Sequence, residues 1–347
     1  MCGESCLQQY AAQVDVARKG FPQKWSGPTT PAKAPAGIKF AGIGSSAACS
    51  GCWAPVVGMQ HAAEALGWEF QSYDGQGDPA KQNAAFLQAI AWGANVIGAS
   101  AIDPNQVQQG MQAAKDKGVL IVSGSSALSE PNTYTYAPGM VQFAFDIAPD
   151  YAQMGRDDAA WIVNDSGGKA VVAVYGDWEF PSVIAHIEPL WNELQKAGIK
   201  TYGIIKFTAN QISTSLGPDV VGFLKSHPDV NYIMSPHDPG AEAMVSAITQ
   251  AGLQDRVKIV SIVGSQHNID FIRQGQVQVV DEAYDNEYMG WAMVDQSIRL
   301  LDHQALFRPI DENMPYVLLD KTNLPPPGSN WVTTVFDYKA EYLKLWK

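Results

Sequence analysis

The residues of this chain best equipped for chemistry are two cysteines at 49 and 52 and a histidine–aspartate pair at 237 and 238. The cysteines form a C-x-x-C inside KFAGIGSSAACSGCW (Lys39–Trp53), at the start of a helical stretch. A helix N-terminus lowers a thiol pKa, so redox exchange is one reading of the pair. No thioredoxin-like pattern surrounds it. The favoured reading is a local structural disulfide between Cys49 and Cys52, formed because the protein is exported, ahead of free thiols. A metal site would need partners such as His61 or His237. No second Cys pair stands at zinc spacing, so neither a metal nor another cofactor is expected. His237 and Asp238 could move a proton. Neither a G-x-S-x-G nor a Gly-rich phosphate loop accompanies them, so no enzymatic activity is expected.

The elements that position these residues are strands and helices in alternation. IKFAGIG (38–44) is apolar and extended, breaks into small residues, and enters the helical APVVGMQHAAEALG. Three more such units follow before residue 125, with Gly67, Gly93 and Gly118 closing the helices and Asp78-Pro79 and Asp103-Pro104 opening others. A second series starts near Val141 with VQFAFDIA. It continues through KAVVAVYG, IKTYGIIKF, VNYIMSP, VKIVSIVG and VQVVDEAY, each followed by a helical stretch. Repeated βα units predict parallel α/β sheets. With 347 residues the chain exceeds one ordinary core, so two comparable lobes are expected, their strand ends facing one another. A strand ending in a small-residue loop before a helix is the usual build of a ligand site at a parallel sheet's carboxyl edge.

The net charge of −12 argues against nucleic acid as a partner. No apolar run reaches the roughly 18–20 residues that span a bilayer. Residues 1–37 carry no signal-peptide pattern. MCGESC resembles the start of a mature bacterial lipoprotein, with Met1 in place of the leader and Cys2 as the lipidation site; Cys6 then stays free, or pairs with an unlipidated Cys2. Leu7–Ala17 can form a short helix. The Pro-, Gly- and Thr-rich stretch after it reads as a tether or a surface-packed extension. The tail after LPPPG reads as a loop and a short packing helix.

The order and spacing of several pieces resemble the type I solute-binding proteins of bacterial ABC importers, close in plan to the ribose-binding proteins. These pieces are YDGQGDPAKQ (73–82), HPDVNYIMSPHDPGAEAMVSAITQAG (227–252), IVSIVG with FIRQG-x-V (259–277), and Y-x-x-x-Y-M-G (284–290). The resemblance covers about Ile38 to Asn323. It implies two Rossmann-like lobes with parallel sheets joined by a three-crossing hinge near Phe145–Asp146, Ala283–Tyr284 and Asp311–Met314. The domain expectation is an N-terminal extension over 1–37, a first lobe of 38–145 plus 284–312, and a second of 146–283 plus 313–347. It further implies a monomer outside the cytoplasm, anchored through Cys2, that binds a small solute, closes by hinge motion and meets membrane permease and ATPase subunits.

Carried over position by position, the resemblance sets the candidate ligand residues. Where the family places an Asn and two aromatics, this chain has Cys49, Gly51 and Cys52, with Trp53 adjacent and Ser45 and Ser46 before them. The Asp-Arg pair that grips sugar hydroxyls becomes Gly124-Ser125, followed by Ser126. A second-lobe Arg falls near Ile184, where Tyr175, Trp178 and Phe180 flank the loop. The Asn-Asp pair reads His237-Asp238, which makes it a ligand contact plus a helix cap. The sugar-gripping Asp becomes Val263 before Gly264, and the last Gln becomes Ala283 or Tyr284. Asp281-Glu282 reads as hinge structure. Most charged groups that grip hydroxyls are gone, which suits a deoxygenated sugar, a small polyol or a partly apolar solute. The competing readings are a thiol–disulfide oxidoreductase on Cys49 and Cys52, and a ligand-sensing regulator of the same fold.

Overall fold

The protein is described by a computed structural model covering residues 2–130, 132, 134–329, 331–332 and 335–346. The alternating pattern folds into two separate sheets. The first holds β1 (Lys39–Gly44), β2 (Glu69–Asp74), β3 (Val96–Ser100), β4 (Leu120–Gly124) and a short β5 (Asp146–Ile147). These run parallel in the order β2-β1-β3-β4-β5. Between them run α2 (Ser50–Ala65), α3 (Pro79–Trp92) and α4 (Gln108–Asp116). The start of α3 follows its sequence signal: Asp78 accepts from the N–H groups of Ala80 and Lys81, and Pro79 takes the first helical position.

The second sheet has the order β11-β10-β9-β8-β6-β7. Its parallel members are β6 (Val171–Asp177), β7 (Lys200–Phe207), β8 (Tyr232–Met234), β9 (Lys258–Val263) and β10 (Gln278–Tyr284). The edge strand β11 (Tyr316–Asp320) is antiparallel to β10. Helices α5 (Tyr151–Asp165), α6 (Pro181–Lys196), α7 (Ala209–Ile212), α8 (Leu216–Ser226), α9 (Asp238–Gln250) and α10 (Gln266–Arg273) accompany this sheet. The expected fold class is therefore the observed one. In each sheet the strand order reverses beside the first strand of its series, where open α/β sheets leave a crevice at the carboxyl ends.

The chain passes between lobes where the resemblance implied, with adjustments. Strand β5 still pairs with β4, so the first crossing follows Ile147. Strand β10 ends at Tyr284, and α11 (Asn286–Leu301) packs on α2 of the first lobe. The return follows residues 311–313 into β11. The chain's two ends add crossings of their own. Helix α1 (Glu4–Lys19) buries Tyr10, Val14 and Ala17 and packs on α5 and β11 of the second lobe. Of the two forms considered for residues 1–37, this part takes the packed one. Downstream, Ala32 bridges to Trp346, and the Arg299 guanidinium on α11 donates to the Thr30 carbonyl. Helix α12 (Tyr338–Leu345), assigned by sequence to the second lobe, packs on α11 of the first. Trp346 stacks on Trp291 at 5.4 Å and its indole N–H donates to Asp295 at 2.6 Å. Of the two states considered for Cys6, free or paired with an unlipidated Cys2, the structure has the pair: the sulfurs of Cys2 and Cys6 are bonded. Among the described residues no helix is long and apolar enough to cross a membrane.

The contact of α2 with α11 is the tightest joint of the first lobe. It depends on two glycines that let the backbones touch. A Cβ on Gly58 would meet the Glu287 carbonyl oxygen, and one on Gly290 would meet the Pro55 carbonyl and the Met59 amide. In an exposed helix, Gly→Ala stabilises by up to about 1 kcal/mol. At Gly290 the clash is with backbone, and overpacking costs about 1–3 kcal/mol. Gly290→Ala is therefore expected to lower stability in urea denaturation, reversing the sign that helix propensity alone would give.

Candidate functional site

The carboxyl ends of both sheets converge on the hinge. From the first lobe, β1 ends at Gly44, where the Trp53 ring lies so close that any Cβ would strike it. Ser45 follows, 2% exposed, and its hydroxyl has no hydrogen-bond partner among the described residues. The loop then turns into α2 through Cys49, whose Sγ accepts from the Cys52 N–H at 3.3 Å and is bonded to the Cys52 sulfur. This bridge gives the disulfide reading of the C-x-x-C its structure. It leaves Cys52 buried and sets Gly51 forward, where a Cβ would lie 3.2 Å from a Val263 methyl of the opposite lobe.

The loop after β4 is shaped by one buried carboxylate. Asp146 accepts from the Ser123 hydroxyl at 2.7 Å and from the amides of Ser126 and Leu128 at 3.2 and 3.0 Å. These bonds hold Ser125 and Ala127 at φ +61° and +56°, a region side chains seldom adopt. Ser126 is spent inside the loop, its hydroxyl donating to the Ile102 carbonyl at 3.0 Å. Ser125 instead meets the Tyr151 hydroxyl at 2.7 Å, and the Tyr151 ring stands edge-on to Tyr284 at 5.8 Å. One polar and aromatic chain thus links the first lobe, α5 and the crossing strand.

The second-lobe wall is aromatic around a fixed histidine. The Gly240 N–H donates to His237 Nδ1 at 3.1 Å, so Nε2 carries the proton and faces Asp177 at 3.4 Å. Asp177 is fully buried and closes β6. Phe180 and Phe207 set their edges against the His237 ring at 6.3 and 5.7 Å. Trp178 lies half-buried beneath the Lys206 ammonium, 4.7 Å from the ring centre. Asp238 does not face the wall. It is fully buried, accepting from the Ser261 hydroxyl at 2.8 Å and the Ser265 amide at 2.7 Å.

Where α2, the end of β9 and the crossing meet lies a cavity of about 190 Å³, lined among others by Gly51 and Ala54, Val263 and Gly264, and Tyr284, Asp285, Asn286 and Glu287. Of the ligand residues expected from sequence, Gly264 and Tyr284 line it. Trp53, Ser46, Trp178, Phe180 and His237 do not line it and are half-buried. Ser45 and Ser125 are buried, and Cys52, Ser126 and Asp238 are bonded within the loops themselves. Sequence reasoning missed Asp177, Tyr151 and Trp331. Trp331, in the tail, also lines the cavity, and it lies beyond the stretch that carries the resemblance. Val263 is the strained residue of the site. Its φ is +124°, which for a β-branched side chain costs on the order of 1–3 kcal/mol.

Two α/β lobes with a cavity at their shared edge and strands crossing between them define a hinged two-lobe receptor. A family model described as "Periplasmic binding protein domain" matches residues 52–305, and the chain belongs to that family. Solved structures agree in fold. The 5-methylthioribose transporter solute-binding protein from Thermotoga lettingae TMO, in complex with 5-methylthioribose, has a TM-score of 0.71 at 17% identity, over 86% of this chain and 98% of its own. An ABC transporter solute-binding protein from Agrobacterium vitis bound with alpha-D-tagatopyranose has a TM-score of 0.74 at 17% identity, over 84% and 97%. The Caulobacter myo-inositol binding protein bound to myo-inositol has 0.70 at 19%, over 83% and 94%. None of the curated sequences compared matches the chain.

The buried acids set an expected pH dependence of stability. Burial pushes the carboxyls of Asp146, Asp158 and Asp238 up to about 6. The folded chain thus keeps protons that an unfolded chain releases near about pH 4. Their stabilising effect is fully present below that value and is lost as pH rises through about 6. Asp229 works the other way: hydrogen-bonded by Lys200, it is lowered to about 2, and its contribution disappears only in stronger acid. Scanning calorimetry is expected to place the highest melting temperature near about pH 5 and a lower one at about pH 8.

Proposed function

We propose that this protein captures a small solute between its lobes outside the cytoplasm and delivers it to the permease and ATPase subunits of an ABC importer. The observation that carries the reading is the cavity bounded at once by α2, by the end of β9 and by the crossing at Tyr284. A solute held there touches both lobes and the hinge, and so favours the closed arrangement over the open one. Family membership supports the same reading, as do neighbours whose bound molecules are sugars and polyols. Location outside the cytoplasm accords with two disulfides, which persist in oxidising compartments.

The lining narrows the solute class. Among the described residues no Arg or Lys lines the cavity; Gly51, Ala54, Val263 and Trp331 give it carbon, while Ser50, Ser265, Asp285, Asn286 and Glu287 offer groups that can bond hydroxyls. A small polyol, or a sugar with part of its hydroxyls replaced by apolar groups, fits this surface; 5-methylthioribose, bound by one of the structural neighbours, is of that kind.

A thermal-shift screen of sugars, polyols, deoxy- and thio-sugars and small aromatic solutes tests the reading. A solute at 100 times its dissociation constant adds about 2.7 kcal/mol of stability. One class is expected to raise the melting temperature, change Trp fluorescence and contract the molecule in small-angle scattering. If no solute produces any of the three, the capture reading fails. Free-thiol titration of the native protein is expected to find none; a free Cys6 with a lipid mass on Cys2 would restore the anchor.

A further inference from the structure

The turn from Val263 to Ser265 forms one wall of the cavity, and its conformation is not one its residues prefer. Val263 sits at φ +124° and Gly264 at φ +85°. Such strain persists only where the surroundings over-determine it. Here two buried carboxyl groups do so. Asp281 of β10 accepts the Gly264 N–H at 3.0 Å. Asp238, the first residue of α9, accepts the Ser265 N–H at 2.7 Å on one oxygen and the Ser261 hydroxyl at 2.8 Å on the other. Both residues are fully buried, and their side chains are hydrogen-bonded to each other.

We propose that Asp238 and Asp281 are a positioning pair for solute capture, holding the Val263–Gly264–Ser265 turn against Gly51 of the opposite lobe. The proposal rests on the reading of the interlobe cavity as the capture site. The bonds assign the two roles. Asp238 accepts at short range on both oxygens, 2.8 and 2.7 Å, whereas Asp281 accepts the Gly264 N–H on one oxygen and has only the more distant Gln278 amide, at 3.5 Å, on the other. Asp281 is therefore the member that carries the proton and donates it to Asp238. Burial and the nearby Asp238 charge both hold its carboxyl well above the usual range. The remaining charge around the pair is acidic: Glu282, the next residue on β10, and Asp158 on α5. Neutral Asp281 is the arrangement that avoids adjacent buried charges. The turn is therefore held by donor–acceptor matching across three elements, α9, β9 and β10.

The roles predict an asymmetry. In Asp281→Asn the amide oxygen still accepts from Gly264 and the amide N–H replaces the acid proton toward Asp238. In Asp238→Asn the anion that accepts from Ser261, Ser265 and Asp281 is lost, and the Ser261 hydroxyl has to reverse to accept from the new N–H, which weakens the charge-assisted hold on the turn. A merely space-filling role would make the two substitutions equivalent. The test uses the intact protein and three probes in turn, 5-methylthioribose, myo-inositol and allitol, with calorimetric titration and amide exchange at Gly264 and Ser265. Asp281→Asn is expected to bind within about twofold of the unaltered chain, and Asp238→Asn at least about tenfold more weakly with faster exchange at both amides. Asp281→Ala, if folded by circular dichroism, is expected to match Asp238→Asn. Equal affinities and equal exchange in the two Asn variants overturn the proposal. If none of the probes binds the unaltered chain, amide exchange alone decides: slow exchange that Asp238→Asn leaves unchanged sinks the pair, and faster exchange in that variant only supports it.

Discussion

A strand that leaves one sheet to start a helix of the other lobe has to satisfy two environments at once. Strand β10 meets that constraint with acids on both of its faces. Asp281 faces Asp238 and the turn after β9, while Glu282 faces the other way; both are fully buried. Neither Glu282 oxygen has a hydrogen-bond partner among the described residues. Burial, with Asp158 nearby, pushes the Glu282 carboxyl well above its usual range. An acid that holds its proton more tightly can sit in an apolar interior at lower cost without a cation beside it. The neighbouring Tyr284 ends the strand and contacts Tyr151, which in turn bonds Ser125. Hinge, second-lobe turn and first-lobe loop therefore share one short stretch of backbone.

The chain ends reinforce this centre. Helix α1 is fixed to the second lobe by Tyr10 donating to Glu193 at 2.7 Å and by Arg18 reaching Asp320 at 2.6 Å. Residues 30–32 and α12 are fixed to α11 of the first. Trp25, Tyr288 and Tyr342 form an aromatic seam where these segments meet, with Trp25 and Tyr342 edge-to-face at 5.1 Å. The belt uses large rings, which bury much area for few rotatable bonds. A relative motion of the lobes has to flex this belt as well as the crossing strands. The high Trp count therefore serves the seam between chain ends and lobe at least as much as the cleft.

Much of the fold was legible because it rests on local signals. Alternating apolar runs, the Asp78-Pro79 start and the left-handed Gly93 cap each act within a few residues. The exceptions are informative. VQFAFDIA reads as a full strand, yet only its second half reaches β4: Ala144 and Phe145 bond to Ile121 and Ser123, and Asp146 and Ile147 pair in register. YVLLD at 316–320 carries no flanking βα pattern, and it becomes a strand because β10 presents a free edge. The disulfide between Cys2 and Cys6 was one of two open alternatives in the sequence.

The sequence by itself determined the two-lobe α/β plan and the place of the first-lobe loop at a strand's carboxyl edge. These follow from periodicity and residue type, which are properties of neighbours in the chain. Tertiary structure alone decided which residues face the cavity. Asp238 was expected at the ligand and is instead turned inward onto Ser261 and Ser265, because a buried amide and hydroxyl there need an acceptor. Trp331 and Gly51 reach the cavity through contacts between segments far apart in the chain. No local pattern encodes such contacts, since they exist only once both lobes and the tail have packed.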